Sequence, residues 1–149
     1  LEVLKRFKKN NQKFFFNFYG DGPLRKSMEE FIVNENLEKN VKLHGKVNRE
    51  NIYEEMKKNH VLLFPSLRDS GGFVLFEAMT VGLPSIILKI GGPPNIIDKK
   101  CGIIIDEIYS ELKELKNNTI KLKEMSDNCH LRVELFTWES KIKKIYENL

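Results

Sequence analysis

Residues 60–88 read HVLLFPSLRDSGGFVLFEAMTVGLPSIIL, and this stretch decides the fold. His60 to Pro65 reads as the clearest buried strand, an apolar run closed by a proline. Ser66 to Gly72 is a polar loop ending in two glycines. A helix is expected from near Phe73 to Gly82, since glycine suits the residue just past a helix end. Pro84 to Leu88 is a second apolar run. Strand, helix and strand in so short a span make a βαβ unit, whose strands lie parallel across a right-handed crossover.

The same alternation extends outward. Upstream, Leu1, Leu4 and Phe7 form the apolar stripe of a helix, and Phe14 to Tyr19 is an aromatic strand-like run. Gly20-Asp21-Gly22-Pro23 ends it and opens a helix to about Glu35, with Leu24, Met28, Phe31 and Ile32 inward. Val41 to His44 is a short strand ended by Gly45. Asn48 caps a helix reaching about Lys58, with Ile52, Tyr53 and Met56 on one side. Downstream, Gly91-Gly92-Pro93-Pro94 leads into a helical turn through Ile97, and Gly102 to Ile105 is the last strand. Residues 107–149 read as two or three helices, interrupted near Phe136-Thr137-Trp138. The expected fold class is therefore α/β, a Rossmann-like doubly wound and mainly parallel sheet with flanking helices, in one domain covering residues 1–149.

Composition bounds the function. The chain has 149 residues, 41% apolar and 31% charged, as expected of one globular domain with its own core. Its apolar runs are far shorter than the roughly 20 residues of a membrane-spanning helix, and nothing at the start resembles a signal peptide. Leu1 falls inside an amphipathic pattern, which reads as a piece of a longer protein. The net charge of +4 is spread along the chain, with no interleaving of basic and aromatic residues for nucleic acid. Cys101 and Cys129 lack metal-ligand spacing and read as free thiols of a reducing cytoplasm. His44, His60 and His130 show no ligand or nucleophile–base spacing. Trp138 reads as a packing residue that anchors the last helix.

In an open parallel sheet, ligands collect beyond the carboxyl ends of the strands. Glycine turns follow three of the strands: Gly20 and Gly22, Gly71 and Gly72, Gly91 and Gly92. Such turns let backbone N–H groups approach an anion, and helix N-termini favour negative charge. Together they point to a phosphate-bearing ligand. Glu77, set among Phe73, Val74, Leu75, Phe76, Ala78 and Met79, is expected to be buried and to need a partner. The hydroxyls of a ribose would serve, and so would a lysine, an arginine or a backbone N–H within the fold. Asp69 and Ser70 are each equally suited to capping the helix that follows.

Taken in order, Gly20-Asp21-Gly22-Pro23, Val41 through Val47, Phe64-Pro65-Ser66, Asp69 through Met79, Gly82-Leu83-Pro84, Gly91-Gly92 and Phe136-Thr137-Trp138-Glu139 resemble the C-terminal domain of retaining GT-B glycosyltransferases of family 4. The resemblance runs from about residue 13 to 145. It implies one half of a GT-B architecture that binds a nucleotide-diphosphate sugar, UDP-linked by preference and GDP-linked next. The sugar would pass, with retained configuration, to a glycan or lipid-linked acceptor. Asp69 and Glu77 would take the catalytic positions, with Glu77 on the ribose and Asp69 near the reacting carbon of the sugar. Ser70, Gly71, Gly72, Phe73 and Val74 would face sugar and diphosphate. Gly45, Lys46 and Val47 would lie beside the base, and Gly20 and Gly22 would admit close approach of the first loop. No metal or other cofactor is implied, and no Asp-x-Asp pair occurs in the sequence.

Three departures stand out from the family pattern. Asp69 replaces the usual glutamate, Gly71 stands where an aromatic residue is frequent, and Asn95 takes a position often filled by glutamate. The family's phosphate-binding Arg and Lys, its first strand and its acceptor domain would lie upstream of Leu1, so this chain alone is expected to be inactive. The resemblance further implies a cytoplasmic enzyme building a cell-surface polysaccharide or glycolipid, such as lipopolysaccharide or capsule. Peripheral membrane association of the whole protein fits that setting. Two rivals are a non-catalytic α/β binding or regulatory module, in which Glu77 pairs internally, and a sugar-nucleotide epimerase of the same architecture.

Overall fold

The computed structural model describes residues 1–68, 71–105 and 108–140. The chain forms two compact units, Leu1–Ile52 and Tyr53–Leu149.

The first unit opens with α1 (Glu2–Lys9), which has Glu2 in its first turn and Arg6, Lys8 and Lys9 in its last. That arrangement complements the helix dipole. β1 (Phe16–Tyr19), α2 (Arg25–Asn34) and β2 (Val41–Gly45) follow, and β1 and β2 pair in parallel. Both helices end on an asparagine in left-handed backbone, Asn11 (φ 52°) and Asn36 (φ 53°). The next N–H bonds back along each helix, Gln12 to the Phe7 carbonyl at 2.9 Å and Leu37 to that of Ile32 at 2.7 Å. Asparagine is the commonest substitute for glycine at that position. The core gathers Leu4, Ile32, Leu37 and Val41 with the aromatic rings of Phe14, Phe16, Phe18 and Phe31. Leu24, expected inward, is 69% exposed. α2 begins at Arg25, so Leu24 lies in the turn before it rather than on its inner face.

The division between units falls within α3 (Arg49–Lys57), which buries Met56. The second unit contains β3 (Leu62–Phe64), α4 (Phe73–Thr80), β4 (Ser85–Leu88), α5 (Pro93–Ile96), β5 (Gly102–Ile105), α6 (Ile108–Asn117) and α7 (Thr119–Glu134). Its strands form a parallel sheet in the order β3-β4-β5. Successive residues of β4 serve opposite faces. Ile87 joins Leu75, Met79, Ile96, Ile97, Cys101 and Cys129, whereas Ile86 joins Ile105, Leu115 and Met125. The central strand of a sheet covered on both faces is apolar throughout. β4, rather than the half-buried edge strand β3, is accordingly the most buried strand.

The expected elements are present and every strand ladder is parallel, so the fold is the anticipated Rossmann-like α/β type. Among the described residues, β1 and β2 form the sheet of the first unit and β3, β4 and β5 that of the second. The chain turns after α7 at 135–137, as expected. The packing residue there is Phe136, whose ring meets Phe76 edge-on at 5.1 Å. Trp138 is 81% exposed, because the break after α7 turns Phe136 rather than Trp138 onto α4. No helix among the described residues is long and apolar enough to cross a membrane.

Candidate functional site

The loop after β1 in the first unit borders an open groove of about 320 Å³. Gly20 has φ +126°, a backbone that residues with a Cβ avoid. Its N–H donates to the Gly45 carbonyl at 2.7 Å, which fixes the start of the loop on the end of β2. Asp21 turns the chain by accepting the Gly22 N–H on Oδ1 at 2.9 Å. A Cβ at Gly20 or Gly22 would meet nothing within 4 Å, so both face open space. Phe18, Leu43 and Met28 give the groove an apolar floor, and Asp21 and Arg25 bring opposite charges to it. Arg25 is steadied by Glu29, with Nε 2.9 Å from Oε1.

Gly45, Lys46 and Val47 continue from β2 but do not line the groove. Lys46 is exposed and Val47 half-buried. His44 has a structural setting, its ring stacked on Tyr19 at 4.5 Å and its Nε2 2.7 Å from Asn17 Oδ1. Arg25 is the residue that motif reading passed over. Its position two residues after Pro23 of the Gly-Asp-Gly-Pro turn, in the first turn of a helix, was the available signal.

In the second unit the start of α4 is built around Gly72. This residue is buried and caps the helix in left-handed backbone, φ +51°. A Cβ there would lie 2.8 Å from Ile96 Cδ1 and 3.1 Å from Leu75 Cδ1. Glycine thus lets the helix start pack directly on α5. The leading N–H groups of a helix, here those of Phe73 and Val74, have no acceptor within it, and the helix dipole is positive at that end. Phe73 is 78% exposed, with its ring over Gly71.

Glu77 stands one turn beyond Phe73 and is half-buried rather than buried. α4 buries Leu75, Ala78 and Met79, and the helical period turns Glu77 away from them. It interacts with another group of the chain. Asp69 and Ser70 lie outside the described residues. Gly91 (φ +73°) and Gly92 lead into α5 beyond β4, on the same edge of the sheet as the start of α4, and Asn95 is exposed. Gly71, Gly72, Phe73, Val74 and Glu77 therefore come together at one helix start, while Gly20 and Gly22 form the wall of the groove in the first unit.

A family model described as glycosyl transferases group 1 matches residues 1–136. An uncharacterised glycosyltransferase of Methanocaldococcus jannaschii is 30% identical over 145 residues, covering 91% of this chain and 41% of the relative. The gpi3 subunit of the Schizosaccharomyces pombe phosphatidylinositol N-acetylglucosaminyltransferase is 25% identical over 157 residues, covering all of this chain and 34% of its own length. Among solved structures, a point mutant of S. aureus TarM in complex with fondaparinux, alpha-GlcNAc-glycerol and UDP superposes with a TM-score of 0.80 at 24% identity. That match covers 98% of this chain and 32% of TarM. The chain thus spans less than half the length of each of these three proteins.

Proposed function

Because the chain belongs to the glycosyl transferases group 1 family, we propose that it is the donor-binding half of a retaining family 4 glycosyltransferase with a GT-B architecture. The observation that carries this reading is the start of α4. Gly72, free of any Cβ, seats the helix start against Ile96, and a half-buried carboxylate, Glu77, follows one turn later. In this reading the N–H groups of Gly72, Phe73 and Val74 receive the diphosphate, where the helix dipole offsets its charge. Glu77 accepts hydrogen bonds from the ribose hydroxyls, and Asp69 lies beside the sugar.

UDP is the proposed nucleotide. It occupies TarM, and the yeast relative is named an N-acetylglucosaminyltransferase. During transfer the bond between the anomeric carbon and the diphosphate oxygen breaks, and a bond to an acceptor hydroxyl oxygen forms. Negative charge gathers on the departing diphosphate, whose oxygen takes up the hydroxyl proton. Donors already aimed at that charge lower the barrier, so no divalent ion is assigned a part. The acceptor is proposed to be a glycan or a lipid-linked glycan, bound with a partner domain at the cytoplasmic face of a membrane.

The experiment is a transfer assay on the intact protein, supplied with UDP-, GDP- and ADP-linked hexoses and hexosamines and a lipid-linked acceptor. Proton NMR would read the anomeric configuration of the product. Preferential consumption of a UDP-sugar with retained configuration is expected. An inverted product would overturn the retaining assignment, and preference for GDP or ADP would overturn the choice of base.

A further inference from the structure

Arg132 lies on α7, outside the glycine loops. Its Nε donates to the Ile96 carbonyl at 2.9 Å, and Nη2 makes a longer contact of 3.4 Å with the Asn95 carbonyl. Nη1 pairs with Asp98 Oδ2 at 3.3 Å. The guanidinium also stands 5.2 Å from the centre of the Phe136 ring, the ring that packs against Phe76 of α4. Asp98 is fixed in turn, its Oδ1 accepting the N–H groups of Lys100 at 2.9 Å and Cys101 at 3.2 Å. One half-buried side chain therefore ties α7 to the end of α5 and the turn beyond it, and through Phe136 to α4. A planar guanidinium with several fixed donors can hold this set, and a lysine ammonium cannot reproduce it.

Ile96 joins this network to the start of α4. Its Cδ1 occupies the space that a Cβ on Gly72 would need. Displacing the backbone of Ile96 would displace the surface on which the Gly72 turn rests. We infer that Arg132 is a positioning residue of the donor site. By gripping the Ile96 carbonyl it sets the Gly72 turn, and so the aim of the helix N–H groups at the terminal phosphate of the donor. The inference rests on the donor-binding reading above.

The test is calorimetric titration of the intact protein with UDP and with UMP, which lacks the terminal phosphate, for wild type and Arg132→Gln. Circular dichroism would check folding. The expected result is a loss of about tenfold in UDP affinity with UMP affinity changed less than about twofold, since a small misplacement of fixed donors is costly only to the group they address. A merely structural role would weaken both ligands together. Equal losses, or unchanged UDP affinity in a folded variant, would overturn the inference alone. Absence of saturable UDP binding by wild type would overturn the donor-binding reading itself. Should Arg132→Gln fail to fold, Arg132→Lys keeps a cation beside Asp98 and is judged by the same ratio. A fall in the preference for UDP over UMP supports the inference, and an unchanged preference overturns it.

Discussion

Ser85 opens β4 fully buried, and its Oγ has no hydrogen-bond partner among the described residues. A buried hydroxyl without a partner costs about 1–3 kcal/mol relative to solvent. Ser85→Ala is therefore expected to raise stability by about 1 kcal/mol, seen as a higher urea midpoint with unchanged slope. A lower midpoint would show that the hydroxyl is satisfied. The residue scale is also where sequence reading was least even. The glycines were legible because left-handed backbone leaves few alternatives, as Gly20 and Gly72 show. The depth of a side chain was not. Glu77 has apolar neighbours in sequence, yet the helical period sets it at the half-buried flank. Leu24 followed the apolar pattern, yet it falls in the turn before α2. Arg25 and Arg132 carried no motif, because what they do depends on residues far away in the chain.

At the scale of elements, α4 is defined by its two ends. Gly72 caps the first, and Gly82 (φ +69°) closes the second, with the Gly82 N–H on the Met79 carbonyl at 3.0 Å and the Leu83 N–H on that of Ala78 at 2.9 Å. α7 uses the same glycine as a docking point. Ser126 Oγ donates to its carbonyl at 2.5 Å, and a Cβ there would lie 2.7 Å from His130 Nε2. Gly82→Ala meets both strained backbone and a clash, so a loss of about 1–3 kcal/mol is expected. Thermal unfolding measures it, and a melting temperature equal to wild type would contradict the assignment. The element ends were legible because glycine and proline mark them. Which aromatic ring of Phe136-Thr137-Trp138 would pack was not, since that depends on where α7 stops.

For the whole molecule, the alternation of strand and helix was readable from apolar periodicity, but the pairing of strands into β1-β2 and β3-β4-β5 is a long-range outcome. Long-range contacts also shape the pH response. Burial pushes the Asp98 carboxyl upward. The Lys100 N–H, the Cys101 thiol, the Arg132 guanidinium and the Cys101 N–H together outweigh it and hold the carboxyl below its ordinary 3.8. A carboxyl lowered by folding contributes stability that is present above its unfolded value and is lost as pH falls through the folded one. Asp98 is more than a third exposed, so solvent screening limits the effect to at most about 1 kcal/mol. Urea midpoints are expected to fall as pH drops below about 4, the ordinary aspartate value, and on through the lowered Asp98 value, and to fall less steeply in Asp98→Asn. Equal slopes would remove Asp98 from the acid response.

The start of α4, with Glu77, is proposed to receive a nucleotide diphosphate. The most direct measurement is calorimetric titration of the intact protein with UDP, wild type beside Glu77→Ala, with folding of both checked by circular dichroism. Saturable binding by wild type and a loss of at least about tenfold in the folded variant are predicted, as expected when hydrogen bonds to a charged group are removed. Equal UDP affinity in wild type and folded Glu77→Ala would contradict the account.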